Sequence, residues 1–279
     1  MQYNKKQALE TISFIKMHGL GNDFMIIDAR TRNIKISGNM VRSLSHRNFG
    51  VGFDQLAVLY APDKSEVIGK LRFWNADGSE SPTCGNATRC VASILSQESF
   101  NEKISLDTPS GTLICKSLGD GVISVNMGQP KIDWSEIPLS RECDTDHLPL
   151  SGDPVATNIG NPHCTFFVRN IANVEMSDYS RYETDKLFPE KTNVQVAEVI
   201  GNDMIKVRVW ERGVGPTLAS GSSACAVAIA AFRRGYTGIR NKIIMEGGDL
   251  DISLQEDGVW MTGKTVRVYD GIIPESFFS

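Results

Sequence analysis

Pro82-Thr83-Cys84-Gly85-Asn86-Ala87-Thr88-Arg89-Cys90-Val91-Ala92 can be laid against Leu218-Ala219-Ser220-Gly221-Ser222-Ser223-Ala224-Cys225-Ala226-Val227-Ala228. In that register Cys84 meets Ser220, Gly85 meets Gly221, and Val91-Ala92 meets Val227-Ala228. Each copy is a tight turn feeding an apolar helical stretch, Asn86 to Glu98 and Ser222 to Arg234, with small polar residues ahead of it that suit an N-cap. Short Gly/Ala-rich matches arise by chance, but both copies also set a small nucleophilic side chain at a helix start. Outward from these helices the chain is rich in short β-type runs. In the first half they are Ile12 to Lys16, Phe24 to Asp28, Gln55 to Tyr60, Lys70 to Asn75, Lys103 to Thr108, Gly111 to Ser117 and Val122 to Met127. In the second they are Val155 to Asn158, Cys164 to Val168, Asn193 to Val199, Met204 to Trp210, Lys242 to Glu246, Asp251 to Leu254, Val259 to Thr262 and Thr265 to Tyr269. Many short strands with polar turns suggest antiparallel sheets rather than repeated βαβ units. Gln129 to Pro154 holds four prolines and no sustained helical period, and reads as a crossing between halves. Two α+β lobes of similar size are therefore expected.

The 279 residues are 41% hydrophobic and 22% charged, which excludes the disordered and fibrous classes. Lysine and arginine total 29 against 33 acidic residues, a net charge of -4, so there is no cationic surplus for nucleic acid or an anionic membrane. A small polar metabolite is the expected partner. MQYNKKQALETISF has no apolar h-region, and runs such as Ala224 to Phe232 are too short to span a bilayer, so a cytoplasmic setting is expected. The six cysteines, at 84, 90, 115, 143, 164 and 225, include no C-x-x-C pair, and no H-E-x-x-H occurs, so neither a disulfide framework nor a metal site is expected. Gly19-Leu20-Gly21-Asn22 lacks the rest of a phosphate-loop motif. Arg233-Arg234 with Arg240 and Lys242 reads as a solvated face.

A helix N-terminus presents unpaired N–H groups and the positive end of the macrodipole, which favour a bound carboxylate and a deprotonated thiol. Cys84 is expected to be acidified on that ground, with Gly85 letting a ligand approach the backbone and Asn86 adding a side chain to the turn. Two such termini facing each other could hold one α-carboxylate and place Cys84 and Ser220 on opposite faces of an α-carbon. That arrangement removes a proton from one face and delivers one to the other. Cys90, Cys115, Cys143 and Cys225 read as small hydrophobes. His163 and Cys164, adjacent in a strand, point to opposite faces and are not expected to form a dyad.

The chain resembles the diaminopimelate epimerase family, cofactor-independent amino-acid epimerases of the same superfamily as proline racemase. The resemblance is carried in order by Lys16-Met17-His18-Gly19-Leu20-Gly21-Asn22-Asp23-Phe24, Gly50-Val51-Gly52-Phe53-Asp54-Gln55, and Asn75-Ala76-Asp77-Gly78-Ser79-Glu80 with Cys84-Gly85-Asn86. It continues through Gly160-Asn161-Pro162-His163-Cys164, Asn193-Val194, Glu211-Arg212-Gly213 and Tyr269-Asp270-Gly271. It implies two pseudo-symmetric lobes, each a mostly antiparallel sheet around a central helix, with the active site between them. The implied boundaries are an extension over 1–12, an N-terminal lobe over 13–129 plus 265–279, and a C-terminal lobe over 130–264. It further implies diaminopimelate as substrate, no metal or other cofactor, and a homodimer. Cys84 takes the place of one acid/base thiol. Substrate contacts carry over to Asn22, Gln55, Asn75, Asn161, Asn193, Glu211 and Arg212, and the Gly85-Asn86 and Gly221-Ser222 turns hold the reacting carboxylate. His163 matches a supporting position. The chemistry agrees: Arg212 can grip a second carboxylate in bidentate fashion, while asparagines both donate and accept, as a zwitterionic end requires. Taken singly, each asparagine reads as a turn or cap residue and Glu211-Arg212 as a surface ion pair.

The sequence departs from the family at one position. Where the pattern is Ala-Cys-Gly, it reads Ala219-Ser220-Gly221, and a serine hydroxyl is a far weaker acid than a thiol. Two-base epimerisation of LL-diaminopimelate to the meso form is therefore expected to be impaired. Three readings follow: an epimerase with one cysteine exchanged for serine, a related racemase or dehydratase using Cys84 with Ser220 as relay, and a non-catalytic amino-acid-binding protein. The first ranks highest.

Overall fold

The computed structural model describes residues 11–99 and 102–274. Residues 1–10 of the expected extension and 275–279 of the expected N-terminal lobe lie outside the described residues. The first half comprises β1 (Thr11–Gly19), β2 (Asn22–Ala29), α1 (Gly38–Ser45), β3 (Gln55–Tyr60), β4 (Gly69–Asn75), β5 (Glu80–Ser81), α2 (Gly85–Ser99), β6 (Lys103–Thr108), β7 (Gly111–Ser117) and β8 (Val122–Asn126). The second comprises β9 (Val155–Asn158), β10 (Pro162–Phe167), β11 (Asn193–Val199), β12 (Met204–Glu211), β13 (Gly215–Thr217), α3 (Gly221–Arg233), β14 (Arg240–Met245), β15 (Gly248–Gln255) and β16 (Gly258–Lys264), and β17 (Val266–Pro274) closes the chain. This is the expected α+β class.

The duplication shows in the pairing. In the first half β1–β2, β3–β4, β4–β5, β6–β7 and β7–β8 are antiparallel while β2–β3 and β4–β6 are parallel. The second half repeats this with β9–β10, β11–β12, β12–β13, β14–β15 and β15–β16 antiparallel, and β10–β11 and β12–β14 parallel. β8 pairs with β16 to join the halves, and β17 returns to pair with β1. The sheets are mostly antiparallel, but α2 and α3 each lie on a crossover between parallel strands, so the expectation of no βαβ units is corrected. Short polar turns suggested hairpins throughout, whereas a parallel pair needs a long crossover, and the two apolar helices supply it.

Packing follows strand periodicity. Along β2 and β3, Phe24, Ile26, Ala57 and Leu59 face the core around α2, while Met25, Ile27, Leu56 and Val58 face a second core with Met40, Val41 and Leu44 of α1. In the second half Cys164, Phe166, Val194 and Val196 face a third core, covered by Ile137, Leu139 and Leu148 of the proline-rich crossing and by the 3-10 helices Ile171–Asn173 and Met176–Thr184. Ala87, Cys90, Val91, Ala224, Cys225 and Val227 share one core spanning both halves, which is why α2 and α3 are apolar on most faces.

Candidate active site

The N-termini of α2 and α3 meet on β16. Met261, fully buried, packs its thioether against the first residue of each helix: a Cβ on Gly85 would stand 2.7 Å from Met261 Cε, and one on Gly221 2.7 Å from Met261 Sδ. A Gly221 Cβ would also lie 3.2 Å from Asn86 Oδ1. The space a side chain would take is filled by Met127 and Met261, and glycine lets both helices close on the methionine.

Cys84 and Ser220 hold equivalent positions. Thr88 N donates to Cys84 O at 2.9 Å and Ala224 N to Ser220 O at 3.0 Å, the first turn of each helix. Cys84 Sγ accepts from Ala87 N at 3.4 Å. Ser220, 5% exposed, makes no side-chain bond to its helix. Its hydroxyl donates instead to the Glu211 carboxylate, which also accepts from Thr217 Oγ1 at 2.7 Å. Burial raises the Glu211 pKa against these two hydrogen bonds, and Asp54 raises it further. Cys84 is not acidified. The residue keeps some solvent contact, yet desolvation around the sulfur pushes its thiol up to about 12, outweighing the Ala87 and Asn86 amides and Arg89, with Glu211 adding to the rise. A helix terminus lowers a thiol pKa only where desolvation does not exceed it.

The N-terminal wall is built from strand ends. Gln55 of β3 is in register with Asn75 of β4, and its Nε2 donates to Asn75 Oδ1 at 2.8 Å. Asn75 Nδ2 donates to Ser79 Oγ at 3.0 Å. Asn22 ends the β1–β2 turn, donating to Asp54 Oδ2 at 3.0 Å and accepting from Asn86 Nδ2 at 3.3 Å. Asp23 holds that turn: burial works to raise its pKa, but hydrogen bonds from Arg47 and Lys16 keep it at about 2.

On the opposite wall His163 of β10 is in register with Asn193 of β11. Asn193 Oδ1 accepts from Arg212 N and its Nδ2 donates to Pro162 O, both at 3.0 Å. Arg212 Nη1 donates to Glu190 O at 2.9 Å, and Ser222 lies partly exposed on the first turn of α3. Gln195 Nε2 lies 2.9 Å from His163 Nδ1 and donates to Ser223 Oγ at 3.0 Å. With Nδ1 accepting, His163 Nε2 carries the proton and donates to Asn161 Oδ1 at 2.7 Å. Burial, reinforced by Arg212, lowers the His163 pKa to about 3 despite Gln195, so it stays neutral and orients Asn161. Cys164 faces the third core, away from this network.

Each half also reaches the other. Gly21 in the β1–β2 turn would set a Cβ 3.8 Å from Leu218 Cδ1, and Gly160 in the β9–β10 turn one 3.7 Å from Thr83 Cγ2. Of the residues expected at the site, Asn22 is thus linked to Asn86 and Gln55 to Asn75 in the first half, and Asn193 to Arg212 and Asn161 to His163 in the second. Arg89, Met261 and Gln195 were missed. Of these, only Gln195 left a signal, a polar residue two positions after Asn193 in an apolar strand.

The family model for diaminopimelate epimerase matches residues 14–132 and 155–268. A diaminopimelate epimerase of Gluconobacter oxydans is 44% identical over 262 residues, covering 94% of this chain and 98% of that protein. Among solved structures, a predicted epimerase from Pseudomonas aeruginosa superposes with TM-score 0.69 at 17% identity, covering 94% of this chain and 99% of the other. A hydroxyproline epimerase from Agrobacterium vitis superposes with TM-score 0.67 at 11% identity, covering 94% and 91%. At such identities the structural likeness is one of fold.

Proposed function

Since this chain belongs to the diaminopimelate epimerase family, we propose that it is an isomerase converting LL-diaminopimelate to meso-diaminopimelate, a reaction of lysine and peptidoglycan synthesis, without a cofactor. The observation that carries this reading is the meeting of two equivalent helix N-termini on Met261, one capped by Cys84 and the other by Ser220. The reacting α-carboxylate takes the Gly85-Asn86 and Gly221-Ser222 amides, where both helix dipoles favour an anion. Cys84 then faces one side of Cα and Ser220 the other. Asn22, Gln55, Asn75, Asn161 and Asn193 hold the polar groups of the substrate, and Arg212 holds the distal carboxylate. A bound carboxylate placed at both termini also displaces water, so proton transfer runs in a protein-lined site.

Ser220 cannot stand as a base near neutral pH. Glu211, hydrogen-bonded to it and raised by burial, can exchange that proton. A Ser220–Glu211 relay supports slow inversion, with the Cys84 thiol as the proton-transfer partner on the other face. A cytoplasmic homodimer is the proposed setting. The described residues include no helix long and apolar enough to cross a membrane, and β17 exposes Val266, Val268, Tyr269 and Ile272.

The test is incubation of purified protein with LL-diaminopimelate, in water and in deuterium oxide, with chiral separation of products. Formation of the meso isomer with deuterium at Cα is expected. Absence of both inversion and exchange would refute the reading, and release of a keto acid from a β-hydroxy amino acid would favour a dehydratase. The same preparation should sediment at twice the chain mass, and a monomer would refute the dimer.

A further inference from the structure

Arg89, in the second turn of α2, is the largest fully buried side chain of the described residues. Nη2 donates to Asn86 Oδ1 at 2.6 Å, while Nε and Nη1 have no hydrogen-bond partner among the described residues. The charges that bear most on it are those of thiols: Cys90 and Cys84 of its own segment, Cys225 of α3 and Cys115 of β7. No carboxylate among the described residues forms an ion pair with it. A guanidinium is among the costliest groups to bury uncompensated, and the fold makes room for it: a Cβ on Gly263 would collide with Nη1, and one on Gly19 would stand 3.2 Å from Nη2. An unbranched apolar side chain would fill the same volume without that cost, so packing alone does not explain the charge.

The charge orders a chain of amides. Because Arg89 occupies Asn86 Oδ1, the Asn86 amide must donate outward, to Asn22 Oδ1 at 3.3 Å; Asn22 then donates to Asp54 at 3.0 Å. A cation at one end and an anion at the other fix both asparagines in one orientation. The same cation lies behind the point where Asn86 meets Gly221 and both helix termini converge.

We propose that Arg89 is a positioning residue for the proton transfer: it locks Asn86 as a donor and supplies the buried positive charge that the substrate α-carboxylate and the Cys84 thiolate neutralise. The proposal rests on the function argued above and adds a residue behind the helix termini that acts through Asn86 and through its field. Groups facing Cys84 that bear on its ionisation are Glu211, which opposes it, and the Ala87 and Asn86 amides, which act with Arg89.

The experiment compares Arg89→Met and Arg89→Lys with the parent protein by thermal unfolding, by KM and kcat for diaminopimelate, and by peptide-resolved alkylation of Cys84 with iodoacetamide across pH. Arg89→Met should keep or raise Tm, because it removes an unpaired buried charge. It should also cut kcat/KM on the order of 100-fold and slow Cys84 alkylation about tenfold at a fixed pH, the effect of one pKa unit. Arg89→Lys should keep the alkylation rate near that of the parent and lose only the Asn86 alignment, seen as a raised KM. A folded Arg89→Met with unchanged KM and alkylation would overturn the proposal, as would Arg89→Lys behaving like Arg89→Met in alkylation. Inactivity of the parent toward every diaminopimelate isomer would instead overturn the function, and alkylation would still read the charge.

Discussion

Ser220→Cys should convert a slow epimerase into a fast one. Ser220 has φ -143° and ψ 121°, a conformation open to cysteine, and its hydroxyl caps no amide of α3. The exchange therefore costs the bond to Glu211, about 1 kcal/mol of stability, and little else. The gain is a group that can bear the proton itself. A positioned acid–base group contributes roughly 10²–10⁴ in rate, equivalent to about 3–5 kcal/mol of barrier at about 1.4 kcal/mol per decade. The lower end is expected, because the new sulfur faces the Glu211 carboxylate, which at Cys84 adds to the rise that desolvation causes. The assay is proton NMR in deuterium oxide, following α-proton washout and inversion together. In the parent protein, washout from the isomer whose α-proton faces Cys84 should outrun inversion, since Cys84 can remove a proton and return solvent deuterium to the same face. In Ser220→Cys the two rates should approach each other. If the folded variant shows the parent's rate and the parent's ratio of washout to inversion, the assignment of position 220 to proton transfer is wrong.

The contact of both helix termini with Met261 makes a second prediction, read by urea unfolding. Met261→Ala should cost about 2–5 kcal/mol through its cavity and Gly221→Ala about 1–3 kcal/mol through overpacking, but the double variant should cost at least 1 kcal/mol less than the sum, since the added methyl enters the vacated space; additive losses would refute the wedge. A third concerns alkaline pH. Cys90, Cys115 and Cys225 are buried and raised from 9.0 to about 12 by desolvation. The folded state keeps them protonated while the unfolded chain ionises, so their contribution is intact below 9.0 and is lost as pH rises toward 12. Each loses about 1.4 kcal/mol per pH unit in that window, giving roughly 4 kcal/mol per unit for the three. Denaturant midpoints that stay level to about pH 10 would contradict that burial.

The chain order of the strands, apart from the short β5 and β13, was legible because hydrophobic periodicity and Gly, Asn and Asp punctuation are local signals. α2 and α3 stood out for the same reason, each within a residue or two of its observed ends. α1 was not anticipated, although Ser37 caps it by accepting from Met40 N at 3.3 Å; its opening Gly38-Asn39 reads as a turn. The 3-10 helices lack a helical apolar period and take their shape from the third core. The parallel pairs were hidden too, since register between Phe24 and Gln55 or His163 and Asn193 depends on segments far apart in the chain.

By itself the sequence determined the family, the duplicated helix starts and a serine at 220 in the place that Cys84 holds in the first copy, because residue identity and order carry all of these. The tertiary structure decided what those residues experience. Desolvation, not the helix terminus, governs Cys84; Met261 from a distant strand explains why Gly85 and Gly221 have no side chain; Gln195 fixes the proton on His163. Arg89 reads in the sequence as an ordinary helical arginine. Only the folded chain shows it buried beside four thiols with no ion-paired carboxylate among the described residues, because the free energy of a charge is set by the surroundings that strands from both halves bring to it.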